Sequence, residues 1–365
     1  MTLKIKKYLQ SFFKKFFYSI FHLIYGKVMT MKNPVKESSD INKSVINMGD
    51  NRKYTIHSLK KSRLYTDRVH NTAVIHDNFL IQDASFQIKN KTFLQNENIV
   101  LKIGTPRFLK KIRGKVLSLL AGGGSNLNYW HWLFDVLPRI ELFNQLFKVE
   151  ELDYLLVPNY SEGFQKETLR ILNFTEERIL SSLNYRHITS EELYVTQHPY
   201  LIKDIDKDEL NFPIWIIKWL RLKFLKQSGL SKKNLPRKIY IDRADSRYKT
   251  RKIINDNEVK NFLQTKGFSS LKLGDYSFLD QVEMFNKAEN IVGLHGGGFA
   301  NIIFCNPNTK ILELRTANTG QIIENLAIKN NLNFSKLEIK PKNIDASDQQ
   351  GHIYVDIKEL QKKII

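Results

Sequence analysis

The second half of the chain alternates short apolar runs with amphipathic segments of helical period. The apolar runs predict strands at residues 238–242, 270–273, 290–294 and 310–314. The helical period predicts helices at 256–266, 278–288 and 321–330. Ser277 stands before the second of these helices as its predicted N-cap. Strands that alternate with helices in this way predict an α/β fold, with a parallel sheet wrapped by helices.

The first half shows the same alternation with shorter elements. Its β-like runs predict strands at 72–75, 79–81, 99–103, 116–120, 154–157 and 193–195. Its helical periods predict helices at 127–143, 162–172 and 213–226. Asn126 can cap the first of these helices, and Pro138 should kink it.

The first 29 residues combine an apolar helical face with a basic one and contain no acidic residue. At about 100° per residue, one face carries Leu9, Phe12, Phe13, Phe16, Phe17, Ile20 and Ile24. The opposite face carries Lys4, Lys7, Lys14 and Lys15. The uncharged stretch is shorter than the about 20 apolar residues that span a bilayer. We therefore expect residues 1–29 to form an amphipathic helix on an anionic membrane surface; a signal peptide and a helix packed on the protein body are the alternatives.

The length of 365 residues favours two domains. Residues 30–70 are polar and turn-rich without a sustained period, and they predict a linker. We expect one domain over 71–228, a second over 229–340, and a tail with a helix over 341–365.

Composition narrows the possible partners. The chain has 57 Lys and Arg against 37 Asp and Glu, and this net charge of +20 predicts an anionic partner. No zinc-finger, RNP or helix-turn-helix pattern organises the lysines, which argues against nucleic acid. The single cysteine, Cys305, excludes an intrachain disulfide and favours a reducing compartment.

The strongest local motif is an apolar strand that runs into three glycines and then into a helix. His295 directly follows the strand, at the carboxyl edge of the predicted sheet, and Gly296, Gly297 and Gly298 come next. Glycines let the backbone approach an anion, and the first N–H groups of the helix point at phosphate oxygens. The alternative is a tight turn with a buried histidine. The spacing differs from the G-x-G-x-x-G motif of dinucleotide-binding proteins.

Charged residues follow other strands of the same predicted sheet. Arg243 and Arg247 come after the first strand of this half, at the carboxyl edge where α/β sheets bind ligands, and arginine forks pair well with diphosphates. Glu313 ends the fourth strand, where a carboxylate can accept both hydroxyls of a ribose. The alternative for Arg243 and Arg247 is a solvated charged loop. The alternative for Glu313 is an acid paired with Arg315 or Lys310.

In the first half, His131 and Asp135 lie four residues apart on one face of a predicted helix. Burial beside the neighbouring aromatic residues would tune the pKa of either group toward that of a general base, and Asp135 can orient the imidazole. A core histidine satisfied by an acid is the alternative. No third ligand stands at helical spacing, so no metal site is predicted.

Three segments together resemble glycosyltransferase family 61. They are NYWHWLFDVLPR (128–139), KIYIDRADSR (238–247) with NEV (257–259), and IVGLHGGGFAN (291–301) with Glu313. The resemblance implies a GT-B architecture, with two facing Rossmann-like domains with parallel sheets. It also implies an inverting transfer from a nucleotide-sugar donor to a saccharide acceptor, without an obligatory metal or other cofactor.

The resemblance also assigns roles to residues. It implies that the C-terminal domain binds the donor through Arg243, Arg247, His295, Gly296, Gly297, Gly298, Asn301 and Glu313. The N-terminal domain would bind the acceptor, with Asn128, Trp132 and Arg139 on the acceptor side. His131 or Asp135 would remove the proton from the attacking hydroxyl, and which of the two does so stays open. Fixed positive groups would stabilise the leaving diphosphate in place of a metal.

Two positions depart from the common family pattern: Gly297 stands where Ala is frequent, and Asp242 stands where Ser precedes the arginine. The chain resembles bacterial members associated with capsule or other surface-polysaccharide synthesis. We therefore expect a peripheral enzyme on the cytoplasmic face of a bacterial membrane, acting on a saccharide or lipid-linked saccharide. The alternative functions are a nucleotide-binding oxidoreductase or epimerase, and a non-catalytic membrane-bound scaffold.

Overall fold

The chain forms two compact units. The computed structural model describes residue 13 and residues 16–30, 39–90, 92–94, 97–227, 235–247, 250–342 and 350–364. Unit 1 comprises Met1–Glu162 and Phe174–Asp208, and unit 2 comprises Gly163–Asn173 and Glu209–Ile365.

Unit 1 is built on a mixed sheet. Its strands are β1 (Met29–Thr30), β2 (Ile41–Asn47), β3 (Lys53–Leu59), β4 (Ser62–Thr66), β5 (Asn71–His76), β6 (Phe79–Leu80), β7 (Phe86–Lys89), β8 (Thr92–Leu94), β9 (Lys110–Ser118), β10 (Tyr154–Val157), β11 (Ile179–Ser181) and β12 (His187–Thr196). The run β12-β9-β10-β11 is parallel, whereas β2 to β5, β7 and β8 pair antiparallel with their neighbours. The predicted parallel sheet is therefore correct for only part of this unit.

Unit 2 is built on a fully parallel five-stranded sheet. Its strands are β13 (Lys238–Asp242), β14 (Ser269–Lys272), β15 (Asn290–Leu294), β16 (Lys310–Arg315) and β17 (Asn333–Glu338). They lie in the order β14-β13-β15-β16-β17. The chain moves to one side of β13 for β14 and to the other side for β15, so the order reverses between β13 and β15. Open α/β sheets bind ligands at the carboxyl end of such a reversal. The mixed α/β class with parallel sheets, compatible with a Rossmann-like fold, is confirmed.

The helices vary in length, and most follow strands. In chain order they are α1 (16–25), α2 (Val100–Ile103), α3 (Tyr129–His131), α4 (Pro138–Asn144), α5 (Gly163–Ile171), α6 (Ile205–Leu210), α7 (Ile214–Phe224), α8 (Asp256–Thr265), α9 (Phe278–Lys287), α10 (Ile322–Lys329) and α11 (Ile357–Lys363). Ser277 caps α9 as predicted, because its side chain accepts a hydrogen bond from Asp280 N. Among the described residues, no helix is long and apolar enough to cross a bilayer.

Two predicted segments differ from the structure, and several strands were not predicted. Residues 41–66, predicted as part of a linker, form β2, β3 and β4. Their polar residues fill the solvent-facing positions of strands, which hides the apolar period. Residues 99–103, predicted as a strand, contain the short helix α2, because an apolar run this short fits either period. The strands β7, β8, β11 and β17 had no predicted counterpart.

The domain boundary also differs from the predicted one. The main part of unit 2 begins after Asp208, whereas the boundary predicted between residues 228 and 229 falls within residues 228–234, which lie outside the described residues. The helix α7 belongs to unit 2, where Arg221 donates a hydrogen bond to Cys305 O. The described part of the predicted tail belongs there as well, because Ile353 and Leu360 are buried in the unit 2 core. Residues 343–349 of that tail lie outside the described residues.

The predicted GT-B arrangement concerns how the two domains face each other, and it stays a prediction. The membrane-surface helix over 1–29 lies partly outside the described residues, which here are residue 13 and residues 16–29. Within that part, residues 16–25 are helical, and Phe16, Phe17 and Ile24 expose more than half of their surface.

Candidate functional site

Two arginines converge on one backbone carbonyl at the carboxyl edge of the unit 2 sheet. Arg243, directly after β13, donates from Nη1 to His295 O at 2.9 Å. Arg251 donates from Nη1 to the same oxygen at 3.3 Å. The Nε atoms of both arginines are buried and have no hydrogen-bond partner in the described part of the chain. Burial, and for Arg251 the nearby Arg243 charge, lower the pKa of both groups, to about 10 for Arg251.

The glycine turn makes this arrangement possible. A Cβ built on Gly296 would stand 1.5 Å from Arg243 Nη1, so only glycine leaves room for the guanidinium. The 3-10 helix Gly297–Phe304 follows, and its first hydrogen bond runs from Phe299 N to Gly296 O. The N–H groups of Gly297 and Gly298 therefore lack an acceptor within the turn. The predicted strand, glycine turn and helix are thus present.

The His295 side chain belongs to a buried ion-pair network. Its Nδ1 hydrogen-bonds Glu313 Oε1, and Glu313 Oε2 accepts from Arg315 Nη1 at 3.2 Å. All three side chains are almost completely buried. The register explains this, because Gly293 pairs with Glu313 across β15 and β16 and His295 follows two residues later. Glu313 thus orients the imidazole, and its burial and pairing correct the prediction that it faces a ribose.

The other side chains that were predicted on the donor side do not contact the His295 carbonyl. Arg247 is exposed, and Arg251 is the second arginine on the His295 carbonyl. Asn301 is fully buried and donates to Gln281 Oε1 at 2.9 Å, so it supports the turn from within the core. Asp242, which stands where the family pattern has Ser, pairs with Lys260 Nζ at 2.8 Å.

In unit 1, His131 and Asp135 form the predicted pair. His131 Nδ1 lies 2.8 Å from Asp135 Oδ2, at the start of a π-helical turn over Trp132–Val136. π-turns inside α-helices recur at functional sites. A Cβ on Gly124 would stand 2.8 Å from His131 Nε2, so this glycine leaves room at the outer edge of the ring. The imidazole is one-third exposed, whereas Asp135 is buried.

Tyr200 and His198, which follow β12, lie against the Asp135 carboxylate. Tyr200 donates its hydroxyl to Asp135 Oδ1 at 2.7 Å, and His198 Nε2 lies 3.7 Å from Oδ2. His198 Nδ1 accepts from the backbone N–H groups of Tyr200 and Leu201. Burial opposes ionisation of Asp135, but His131 and His198 outweigh it and hold its pKa well below the usual range. Burial lowers the pKa of His198, which keeps that ring neutral.

The predicted acceptor-side residues lie around the same helix. Asn128 caps it by accepting from Trp130 N at 2.9 Å, which moves the cap from the predicted Asn126. Trp132 is completely buried. Arg139 is buried too, and it donates to Asp135 O and Thr196 O. The structure thus gives these three residues supporting positions under His131 rather than exposed ones.

The sequence did not single out Arg251, His198 or Tyr200. His198 and Tyr200 follow the carboxyl end of β12, and His131 follows that of the adjacent parallel strand β9. Arg243 was predicted because it is a polar residue that follows a parallel strand. The same rule, applied to β12, would have found His198 and Tyr200. No group of three or more His, Cys, Asp or Glu side chains suited to a metal ion occurs in the described ranges.

A comparison with protein families covers the residues around Asp135 and those around His295. A family model described as Glycosyltransferase 61 matches residues 129–312. This span contains His131, Asp135, Arg243, Arg251 and His295, and it confirms the resemblance of the three sequence segments. No curated protein matches the chain.

Proposed function

Because the chain belongs to the glycosyltransferase 61 family, we propose that it is an inverting, metal-independent enzyme that moves a sugar from a nucleotide-sugar donor to a saccharide acceptor. The observation that carries the proposal is the pair of guanidinium groups, Arg243 and Arg251, on the His295 carbonyl. They lie where the strand order of a parallel sheet reverses, which is the usual ligand position in such folds.

The electrostatics of this loop favour a diphosphate. Two like charges held on one neutral carbonyl repel each other, and a bound dianion relieves that repulsion. Both Nε–H groups lack a partner among the described residues, and the first N–H groups of the glycine turn point out of its N-terminus. These donors can stabilise the charge that builds on a departing nucleoside diphosphate, which is the work that a metal does in other transferases.

The second part of the proposal assigns the general base to His131. Asp135 is buried and both of its oxygens are engaged, by His131 and by Tyr200. The imidazole is the exposed member of the pair, and Asp135 at Nδ1 fixes the tautomer that accepts a proton at Nε2. His131 would take the proton of the acceptor hydroxyl as that oxygen attacks the anomeric carbon, the nucleoside diphosphate would leave, and Asp135 would stabilise the imidazolium that forms.

The cellular setting is part of the same proposal. We propose that the enzyme acts in surface-polysaccharide synthesis on a saccharide or lipid-linked saccharide, at the cytoplasmic face of a bacterial membrane. The support is the exposed apolar side of α1, together with the lysines and the absence of acidic residues in the first 29 residues.

A release assay tests this function. The full chain is incubated with a panel of nucleotide sugars and saccharide acceptors in EDTA, and free nucleoside diphosphate and product are measured. We expect acceptor-dependent release with one donor, and a product of inverted anomeric configuration by NMR. Donor binding without release would indicate a non-catalytic scaffold, and a retained configuration or a strict need for divalent ions would overturn those parts of the proposal.

A further inference from the structure

The exposed apolar side chains of α1 form one arc. At about 100° per residue, Leu23, Phe16, Ile24 and Phe17 span one side of the helix, and Phe21 follows next to Phe17 at the border of the arc. The four arc residues expose from 52% to 87% of their surface, whereas Phe21 exposes 8%. Large side chains at this exposure on a single helix side are typical of an interaction surface rather than of a core helix.

The opposite side of α1 is fastened to unit 1, so the arc has a fixed direction. The Tyr25 ring meets the His187 ring edge-on, with centroids 5.0 Å apart. Arg63 donates from Nη2 to Tyr25 O at 3.1 Å, which satisfies a carbonyl at the C-terminal end of the helix. A Cβ on Gly104 would stand 2.5 Å from the His22 ring, so the backbone of unit 1 approaches the helix closely.

A second segment, after α2, extends the arc. Phe108 packs edge-on against Phe21, with ring centroids 5.3 Å apart, yet 76% of its surface is exposed. The next residue, Leu109, donates its N–H to the Tyr25 hydroxyl at 2.9 Å. Two contacts thus hold the Phe108 segment against α1, with its ring beside the border of the arc.

Basic residues lie beside the exposed apolar residues. Arg107, Lys110 and Lys111 flank Phe108 and are exposed. The sequence before the arc adds Lys4, Lys6, Lys7, Lys14 and Lys15 without an acid. Apolar side chains bordered by basic ones match an anionic bilayer, in which rings enter the acyl boundary while cations meet headgroups.

We propose that Phe108 and its basic neighbours form a second membrane-binding element, which inserts beside α1 and fixes the orientation of unit 1 on an anionic lipid surface. This inference rests on the membrane association proposed above. It adds a residue far from the N-terminus in sequence, and it means that unit 1 binds the bilayer through two elements rather than through a flexible tether.

A site-specific fluorophore tests the inference on the full chain. Cys305 is completely buried, so an exposed cysteine introduced as Phe108→Cys, Phe17→Cys or Val45→Cys can be labelled selectively with an environment-sensitive dye. Vesicles of phosphatidylglycerol and phosphatidylethanolamine should shift the emission to the blue at positions 108 and 17. The control at Val45, on β2, should not respond.

The outcomes separate the two proposals. A response at 17 without one at 108 would overturn the second element and leave the helix anchor intact, whereas no response at either position would overturn both. A blue shift at 108 that grows with protein concentration in the absence of lipid would show that a second copy covers the patch, against the proposal. Phe108→Ser should weaken vesicle binding about tenfold, the loss expected for one buried aromatic ring; unchanged binding would contradict the inference.

Discussion

The guanidinium group of Arg243 occupies the space in which a Cβ of residue 296 would stand, 1.5 Å from Nη1. Gly296 has an extended backbone that other residues also adopt, so the need for glycine there is steric. The glycine thereby allows Arg243 to reach the His295 carbonyl. The glycine turn and the loop that carries Arg243 therefore depend on each other.

Gly296→Ala should displace Arg243 and weaken binding of the nucleotide donor. The loss of one charge-assisted hydrogen bond predicts an affinity about 10- to 100-fold lower. Isothermal titration with the preferred nucleotide sugar measures it. Gly320→Ala is the matched control, because a Cβ there meets nothing within 4 Å. Equal affinities of the two variants would contradict the steric relation.

The three arginines of the loop after β13 should differ in importance. Arg243→Ala and Arg251→Ala each remove a preorganised donor and should lower turnover on the order of 10²-fold. Arg247 is exposed, so Arg247→Ala should cost less than either. Steady-state kinetics of the three variants measures this order. The largest loss at Arg247 would restore the pairing that the sequence suggested.

His131→Ala should lower kcat on the order of 10²- to 10⁴-fold, since it removes the general base. Donor affinity should stay unchanged, because the proposed donor contacts are made by Arg243 and Arg251 and not by His131. Turnover and donor titration together measure both quantities. His70→Ala removes an exposed histidine of the same unit and should change neither. Near-normal turnover of His131→Ala would refute its role as the base.

Stability should fall on mild acidification because of His187. Burial lowers its pKa from 6.5 to about 4, so the folded chain keeps this ring neutral. Above pH 6.5 its contribution to stability is complete, and it is lost as the pH falls toward 4, since only the unfolded chain takes up the proton. Between pH 7 and pH 5 the loss is about 2 kcal/mol.

Urea unfolding at these two pH values tests the effect. His187→Gln should show a pH dependence smaller by that amount, whatever its absolute stability. The same pH dependence in both proteins would indicate that His187 does not titrate on unfolding.

The elements of unit 2 were largely predictable from sequence, because its central strands β13, β15 and β16 are buried on both faces. β13 and β15 have the predicted bounds, since apolar runs such as Ile239–Ile241 end at polar or glycine residues. The strand β2 was missed, because alternate positions such as Lys43 and Val45 are exposed and dilute the pattern. Its identity as a strand comes from pairing with β3, which the local sequence does not encode.

The site was predictable where a local sequence pattern marks it. Arg243 and His295 were predicted because they follow strands, and His131 because it lies four residues from Asp135 on one helical face. The roles of Glu313 and Arg251 depend on tertiary geometry instead. Glu313 depends on the register between β15 and β16, and Arg251 depends on its hydrogen bond to His295 O. Burial also reversed the expectation for Trp132, an aromatic residue that suits either a sugar-binding surface or a core.

A thermal-shift screen of the full chain against nucleotide sugars, in EDTA, tests the central claim most directly. Ligand that binds only the folded state raises Tm, and 100 times its Kd adds about 2.7 kcal/mol. We expect one nucleotide to raise Tm of the native chain, and a much smaller rise for the Arg243→Ala, Arg251→Ala double variant. The absence of any rise, or an equal rise in the double variant, would contradict a diphosphate site at this loop.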